Sequence, residues 1–409
     1  MPANARWCVL LGACASLLGC DFDSDLNRWK GNDAGAPDAG LDAGADAGTD
    51  AGTDAGSDAG FDAGLDSGID AGDDAGVDAG WVFAPDGSYN FAFVSSLTVM
   101  PSSVTAGSAD AVCAACASDA GLPGVFGAWI GLSSVNAYDR NSMPRVRGWV
   151  RPDGRPFADT LPDLILGRTL YPLTLDEHGV DVGTVNVLSG ANISGDAVNN
   201  CSDWSVANGT FDSTSTSWSG IGWAQAKLAP CGQPVHVYCF GIDQNAQVTL
   251  TPAAGKRVFI SSDWIFDGGL AGADDHCAND ALRLFDGGQP FIAVLSTGSS
   301  TAASRFDPSY DGGWVRPDGV FVGDLRSGRL AAPVLIFSFT SLNHGYATGA
   351  PAPTTTGTLM TTCSDYTDSG GTFMVQLIAG NENALGVEWF ADPNSAKSCG
   401  LARLLCAEP

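Results

Sequence analysis

The sequence predicts an α+β fold built twice: two tandem copies of one disulfide-stapled domain, standing behind a disordered acidic tether. Three observations predict it. A four-cysteine framework occurs twice, with Cys113, Cys201, Cys231 and Cys239 answered by Cys277, Cys363, Cys399 and Cys406. The seven residues Gly148-Trp-Val-Arg-Pro-Asp-Gly154 recur unchanged as Gly313 to Gly319. Between Asn32 and Gly80 the chain repeats Asp-Ala-Gly every four residues, a composition that has almost nothing to bury and so no drive to fold.

Residues 1–19 read as a lipoprotein signal peptide. Arg6 is their lone positive charge, Trp7 to Leu18 is an apolar run of twelve, and Leu17-Leu18-Gly19-Cys20 follows. Twelve residues are too few to cross a hydrocarbon core of about 30 Å as a helix. The closing four look like the box cut by lipoprotein signal peptidase, whose chemistry requires a cysteine to carry diacylglycerol. Cys20 is the expected lipidation site, and several acyl chains give stable membrane attachment. The predicted address is a bacterial cell envelope, lipid-anchored, at the outer membrane or cell surface. Asp21 resembles the inner-membrane retention signal of enteric bacteria and leaves that alternative open.

Residues 20–80 are the tether. From Asp21 to Gly80 there are 16 acids against Arg28 and Lys30, and twelve tetrads, eleven Asp-Ala-Gly and one Asp66-Ser67-Gly68. As a coil, its repeats span roughly 40 Å, more because the aspartates repel. Asp/Gly repeats also suggest calcium-binding solenoids, but those have longer periods and a regular apolar position, whereas here the variable position holds Leu, Ala, Thr, Ser, Phe, Ile, Asp and Val in no order. The whole chain carries 46 Asp+Glu against 19 Lys+Arg, a formal charge of -27. Scattered bases on an acidic chain exclude nucleic acid as a partner, because phosphate binding needs clustered cations. Only 16% of the residues are charged, while 11 Trp, 53 Gly and 12 Cys are present. That is the profile of an exported, loop-rich, stapled protein.

The two copies occupy 81–243 and 244–409, with their junction between Gly241 and Gly255. Ala92-Phe-Val-Ser-Ser96 answers Val258-Phe-Ile-Ser-Ser262, and Cys201-Ser-Asp-Trp204 answers Cys363-Ser-Asp-Tyr366. Phe91–Ser95 and Val258–Ser261 are short opening strands, rich in aromatic and branched residues. Ala106–Ala120 and Gly272–Leu284 are Ala-rich helices that carry the first cysteine of each framework. Trp129-Ile-Gly-Leu132 and Ile292-Ala-Val-Leu295 read as buried strands. Pro-Asp-Gly within the seven-residue repeat suits a tight turn, so Trp149-Val150 and Trp314-Val315 should end strands with their indoles in the core. Long Ser/Thr/Gly/Asn stretches follow in both copies.

The helix cysteine, the Trp129-Ile130-Gly131-Leu132 segment, the inner cysteine pair and the closing Val237-Tyr238-Cys239-Phe240 resemble the C-type lectin-like fold. More narrowly they are similar to bacterial endostatin-like domains, a family long labelled a domain of unknown function. The resemblance covers about 160 residues of each copy. Four cysteines alone allow three connectivities; the resemblance implies 113–239 with 201–231, and 277–406 with 363–399. Cys116 is left over. The family includes surface proteins of spirochaetes that bind host matrix or complement proteins, which implies adhesion as a class. The calcium-binding Glu-Pro-Asn or Gln-Pro-Asp loop and the Trp-Asn-Asp strand of true C-type lectins are missing. Asn199-Asn200-Cys-Ser-Asp203-Trp204 has the residue types without the order, and a hard cation wants six to eight oxygens.

Catalytic signals are sparse. The histidines are His178, His236, His276 and His344, in none of the zinc-binding spacings, and nucleophile elbows and phosphate loops are missing. Asp176-Glu177-His178 could serve as an acid–base or metal cluster, but it is not repeated in the second copy and reads as an exposed polar turn. Cys113-Ala-Ala-Cys116 has redox spacing, yet Cys113 is already claimed by the repeated framework. Two features suit binding. Arg145, Arg147, Arg151 and Arg155 lie in and around the first seven-residue repeat, with 145 and 147 on one face if the segment is a strand, and guanidinium forks suit sulfate or carboxylate groups; a solvated arginine face explains them as well. The loop Asn208–Trp223 offers hydroxyls with the flat faces of Trp218 and Trp223, although buried tryptophans would also account for it. The expected function is a non-catalytic, membrane-anchored pair of modules that bind a glycan or an extracellular or envelope protein, with no cofactor and no metal. The alternatives are a structural envelope component and, behind it, an unfamiliar hydrolase.

Overall fold

In the first copy, eight short strands follow the apolar runs: β1 (Asn90–Val94), β2 (Phe126–Ala128), β3 (Trp149–Val150), β4 (Pro156–Ala158), β5 (Asn186–Leu188), β6 (Thr210–Ser215), β7 (Lys227–Pro230) and β8 (His236–Gly241). The computed structural model describes residues 88–285, 290–334, 345–368, 376–394 and 397–409. The signal segment, Cys20, the tether and His344 lie outside the described residues. The described ones belong to one compact unit, Gly76–Pro409.

The strands stand in the order β4-β3-β1-β8-β5-β6-β7, with β2 also on β8. The first and last strands therefore meet at the centre, where β1 runs antiparallel to β8 and Phe93 faces Cys239. Both are buried along almost their whole length, which explains why they are the most apolar segments of the copy. The helix Ala106–Asp119 starts from a capping box, Thr105 and Ser108 each binding the other's amide. The second copy repeats the order: Phe321–Gly323, Trp314–Val315, Lys256–Ile260, Leu401–Ala407, Tyr346–Ala347 and Ala379–Gly380 stand side by side, under the helix Gly269–Leu284. The fold is α+β.

Boundaries differ modestly from the sequence expectation. The second helix starts at Gly269 instead of Gly272. Trp129 and Ile130 lie just beyond the end of β2, fully buried, and Trp129 N still donates to Tyr238 O of β8 at 2.9 Å.

Four disulfides close the copies, Cys113–Cys239 and Cys201–Cys231 in the first, Cys277–Cys406 and Cys363–Cys399 in the second, with Cα separations of 5.3 to 5.8 Å. This is the pairing implied by the resemblance. The outer bridges tie the helix to the closing strand; the inner ones pin the long loops.

The seven-residue repeat has one structural job in both copies. Gly154 N donates to Arg151 O and Gly319 N to Arg316 O, closing the expected turn. Trp149 and Trp314 are fully buried, with Nε1 donating to Gly241 O and Glu408 O, each at 3.0 Å. Gly148 opens the repeat at φ +79°, and a Cβ there would lie 2.0 Å from the Ala246 carbonyl oxygen, so only glycine fits.

The copies also join each other. Leu188 faces Val237 and Val187 faces Thr214; Ala347 faces Leu404 and Tyr346 faces Gly380. This register makes Thr214 the counterpart of Gly380, and hence Trp218 the counterpart of Ala384. Those two residues form an antiparallel bridge, flanked by Ser219 N to Asn383 O and Leu385 N to Ser217 O, both 2.8 Å. Rotating one copy onto the other exchanges the two hydrogen bonds. The contact is isologous, the kind found across a two-fold axis. Tyr171, Val320 and Ala332 form a buried apolar cluster beside it, where Phe321 N donates to the Tyr171 hydroxyl at 3.0 Å.

Candidate functional site

Cys201-Ser-Asp-Trp204 forms one turn of helix wound the wrong way. Its φ values are +53°, +53°, +52° and +63°, and those of Cys363 to Tyr366 are +51°, +56°, +54° and +64°. For residues with a Cβ, left-handed winding costs about 1–2 kcal/mol each, so the turn persists only because its surroundings over-determine it. The inner disulfide fixes its first residue. Its aromatic reaches into the core and binds a carbonyl, Trp204 Nε1 to Gly131 O at 3.2 Å and Tyr366 Oη to Ser296 O at 2.8 Å. Its aspartate binds an amide two residues further on, Asp203 with Ser133 N and Asp365 with Gly298 N, both 2.8 Å. The turn is thus a clamp on the segment following β2 and on its counterpart.

In the first copy that clamped segment forms one wall of an open groove of about 590 Å³. Leu132 to Asn136 and Asp139 line one side, Asp196 to Val198 and Asn200 the other. The lining mixes hydroxyl, carboxamide and carboxylate groups with the apolar edges of Leu132, Val135 and Val198. Asn136 caps the short helix Ala137–Arg140, accepting from Asp139 N. Asn200 accepts from Asp203 N at 3.0 Å and donates to the Asp203 carboxylate at 2.7 Å. The Ser133 hydroxyl and amide, with Asn200, hold the Asp203 carboxyl below its ordinary range.

The sequence-predicted binding residues go elsewhere. Met143–Arg145 is a tight 3-10 turn, so Arg145 and Arg147 do not share a strand face. Arg145 is exposed, while Arg147 forms a bidentate pair with Asp159. Arg151 is 5% exposed; it grips Asp153 through Nε and Nη2 and donates to Pro172 O at 2.8 Å. Arg316, at 1%, does the same with Asp318 and Pro333 O. This arginine ties the turn to the next loop and is not an arm for a ligand. The segment Asn208–Trp223 is not an open binding loop either: it contains β6, Trp223 is buried with Nε1 on Leu164 O at 2.9 Å, and Trp218 packs on the core of the second copy.

Asp176-Glu177-His178 does form a turn with His178 exposed, but Glu177 departs from the exposure expected of it. Glu177 is 2% exposed and accepts from Ser96 N at 2.9 Å and from the Ser96 hydroxyl. Burial alone would raise its pKa, but those hydrogen bonds outweigh it and hold Glu177 below the usual range. Cys116 is a buried free thiol beside it; burial, and the Glu177 charge after it, push the thiol up, so it is a poor nucleophile. His178 lies 3.2 Å from Asp119, His236 binds Ser95 O, and His276 sits beside Asp280 and Ser262. Among the described residues, no group of three or more His, Cys, Asp or Glu is placed to hold a metal ion. Sequence reasoning missed the groove, because Asp196 stands 57 positions beyond Asp139 and neither wall carries a repeated motif.

No known protein-family model matches the chain, and neither does any curated protein.

Proposed function

We propose that the chain is a lipid-anchored envelope protein whose two modules are C-type lectin-like (endostatin-like) domains, and that the first binds a glycan, without catalysis, in the groove between Leu132–Asn136 and Asp196–Asn200. The observation that carries the reading is the groove lining. Hydroxyls, carboxamides and carboxylates on a backbone held by the left-handed clamp suit the hydroxyls of a sugar, and the small apolar edges suit its ring faces. Disulfide closure and the sequence of residues 1–80 support display outside the cytoplasm, with Cys20 as the membrane attachment and the acidic tether as spacer. Extracellular or envelope proteins bearing such glycans are the macromolecular partners that fit.

The test is a glycan and matrix-protein array probed with residues 81–409. The expected result is a restricted set of glycan signals, lost when Asp196 and Asn136 are changed together to Ala. A blank array, with envelope defects on deletion of the gene, would replace this reading with a structural role.

A further inference from the structure

One loop of the second copy has no likeness in the first. Leu188 and Ala347 hold matching places, each paired with the closing strand, and Cys201 and Cys363 open the two clamps. Between them lie residues 189–200 in the first copy, twelve, and 348–362 in the second, fifteen. The longer loop contains Ala350-Pro-Ala-Pro-Thr-Thr-Thr-Gly-Thr358, whereas the shorter holds neither Pro nor Thr. No charged residue stands anywhere from Gly345 to Ser364. Clustered threonines among prolines are the composition of acceptor segments for O-linked sugars. The geometry of the loop points the same way. It is anchored at both ends, Ala303 N donating to Pro353 O and Gly357 N to Thr297 O, both at 2.9 Å. Between the anchors Thr355 N donates to Ala352 O at 3.1 Å, closing a turn with Pro353 at its second position. The Thr355 hydroxyl is engaged in that turn: it donates to Ala352 O at 2.9 Å and accepts from Ala352 N at 3.1 Å. Thr354 and Thr356, on either side, are exposed, and among the described residues neither hydroxyl has a hydrogen-bond partner.

We propose that this loop of the second copy is a covalent glycosylation site, with Thr354 and Thr356 as the sugar acceptors and Thr355 holding the turn that presents them. This goes beyond the glycan-binding reading and does not depend on it. The donor is a sugar linked through its anomeric carbon to a nucleoside or polyprenyl diphosphate, brought by a glycosyltransferase. The threonine Oγ1 forms the new bond to the anomeric carbon. The bond from that carbon to the diphosphate breaks, the diphosphate leaves with the electron pair, and the hydroxyl proton passes to a base of the transferase. Nothing is oxidised or reduced. An acceptor already set in a turn and anchored at both ends avoids the ordering cost of a mobile one. Phosphorylation is disfavoured, because kinases read charge around their targets and this stretch has none.

The test is mass spectrometry of the full chain purified from the envelope of the bacterium that encodes it, with electron-transfer fragmentation of the peptide that carries residues 351–358. The expected result is an added mass equal to one or more sugar residues, located on Thr354, on Thr356 or on both, with Thr355 unmodified. Thr354→Val with Thr356→Val should remove the added mass entirely. That double variant should keep the thermal transitions of the unchanged protein, since neither hydroxyl is bonded within the fold. An unmodified peptide, a phosphate in place of a sugar, a sugar confined to Thr355, or a sugar that persists on this peptide in the double variant overturns the inference. Each of these outcomes leaves the groove of the first copy untouched, because the array probes that groove separately.

Discussion

The two copies hold the same backbone amide in different ways. Ser96 and Ser262 follow equivalent strands, each preceded by a serine whose hydroxyl accepts from the closing strand at 2.9 Å (Val237 N and Leu404 N). In the second copy Ser262 N is bound at 2.7 Å by Asp280, three residues after the helix cysteine. In the first, that helix position is Cys116, and the carboxylate comes instead from Glu177 on a distant loop. Both amides bind a carboxylate, supplied by a helix residue in one copy and by a loop residue in the other. The same comparison accounts for three sequence features at once: the leftover cysteine, the unrepeated Asp-Glu-His trio, and the buried glutamate.

The largest expected effect comes from the staples, which should matter equally in the two copies. In the chain-entropy picture, closing loops with sequence separations of 126 and 129 residues contributes about 5 kcal/mol each, and the inner loops of 30 and 36 about 3.5 to 4. Cys113→Ala with Cys239→Ala should unfold the first copy at moderate temperature and leave a second transition visible by calorimetry. A single, unchanged transition would mean that the outer bridge is dispensable.

Next in size is the amide swap. Glu177→Ala removes two charge-assisted hydrogen bonds to Ser96, at a cost of about 1–3 kcal/mol, and Asp280→Ala should cost a similar amount in the second copy. Cys116→Asp should restore much of the loss in the Glu177→Ala background, because it installs the second copy's solution. Denaturant unfolding of Glu177→Ala, Cys116→Asp and their double variant against the unchanged protein measures the coupling. A double variant no better than Glu177→Ala alone would break the equivalence.

Much of this was legible in the sequence. The duplicated cysteines, the seven-residue repeat and the apolar runs located the central strands, both helices, the tight turns and the buried indoles Trp149 and Trp314, because those features are local; β5, β6 and β7 lie in polar stretches that read as loops. The amide swap was hidden, since Glu177 and Cys116 meet only through the fold. The groove was hidden for the same reason: Ser133 and Asp196 are 63 positions apart and are brought together by a left-handed turn that no propensity predicts. Arg151 misled because a guanidinium looks alike whether it faces solvent or, as here, a buried carbonyl. Trp218 misled because the partner of its loop is the other copy.

That inter-copy contact predicts a smaller effect. Trp218→Ala removes a half-buried indole from the second copy's core and should weaken the union by about 2 kcal/mol, seen as separation of two thermal transitions and a larger radius of gyration in solution scattering. An unchanged radius would show that the bridge and the Tyr171 cluster suffice. Smallest is the acid response. Asp203 has its folded pKa held below the ordinary 3.8, so its contribution is complete above that pH and is lost as pH falls below it. Asp203→Asn should flatten this acid limb, with Asp365→Asn as the reference in the second copy. An identical limb in the Asp203 variant would remove the aspartate from the clamp.

The central claim is that the ligand sits in the first copy's groove, and equivalent blockades test it most directly. Ser134 and Ser299 are both exposed and occupy matching places after β2 and its counterpart. Ser134→Trp should fill the groove and abolish the glycan signals of the array, while Ser299→Trp leaves them intact. Signals that survive Ser134→Trp, or vanish with Ser299→Trp, would contradict the account.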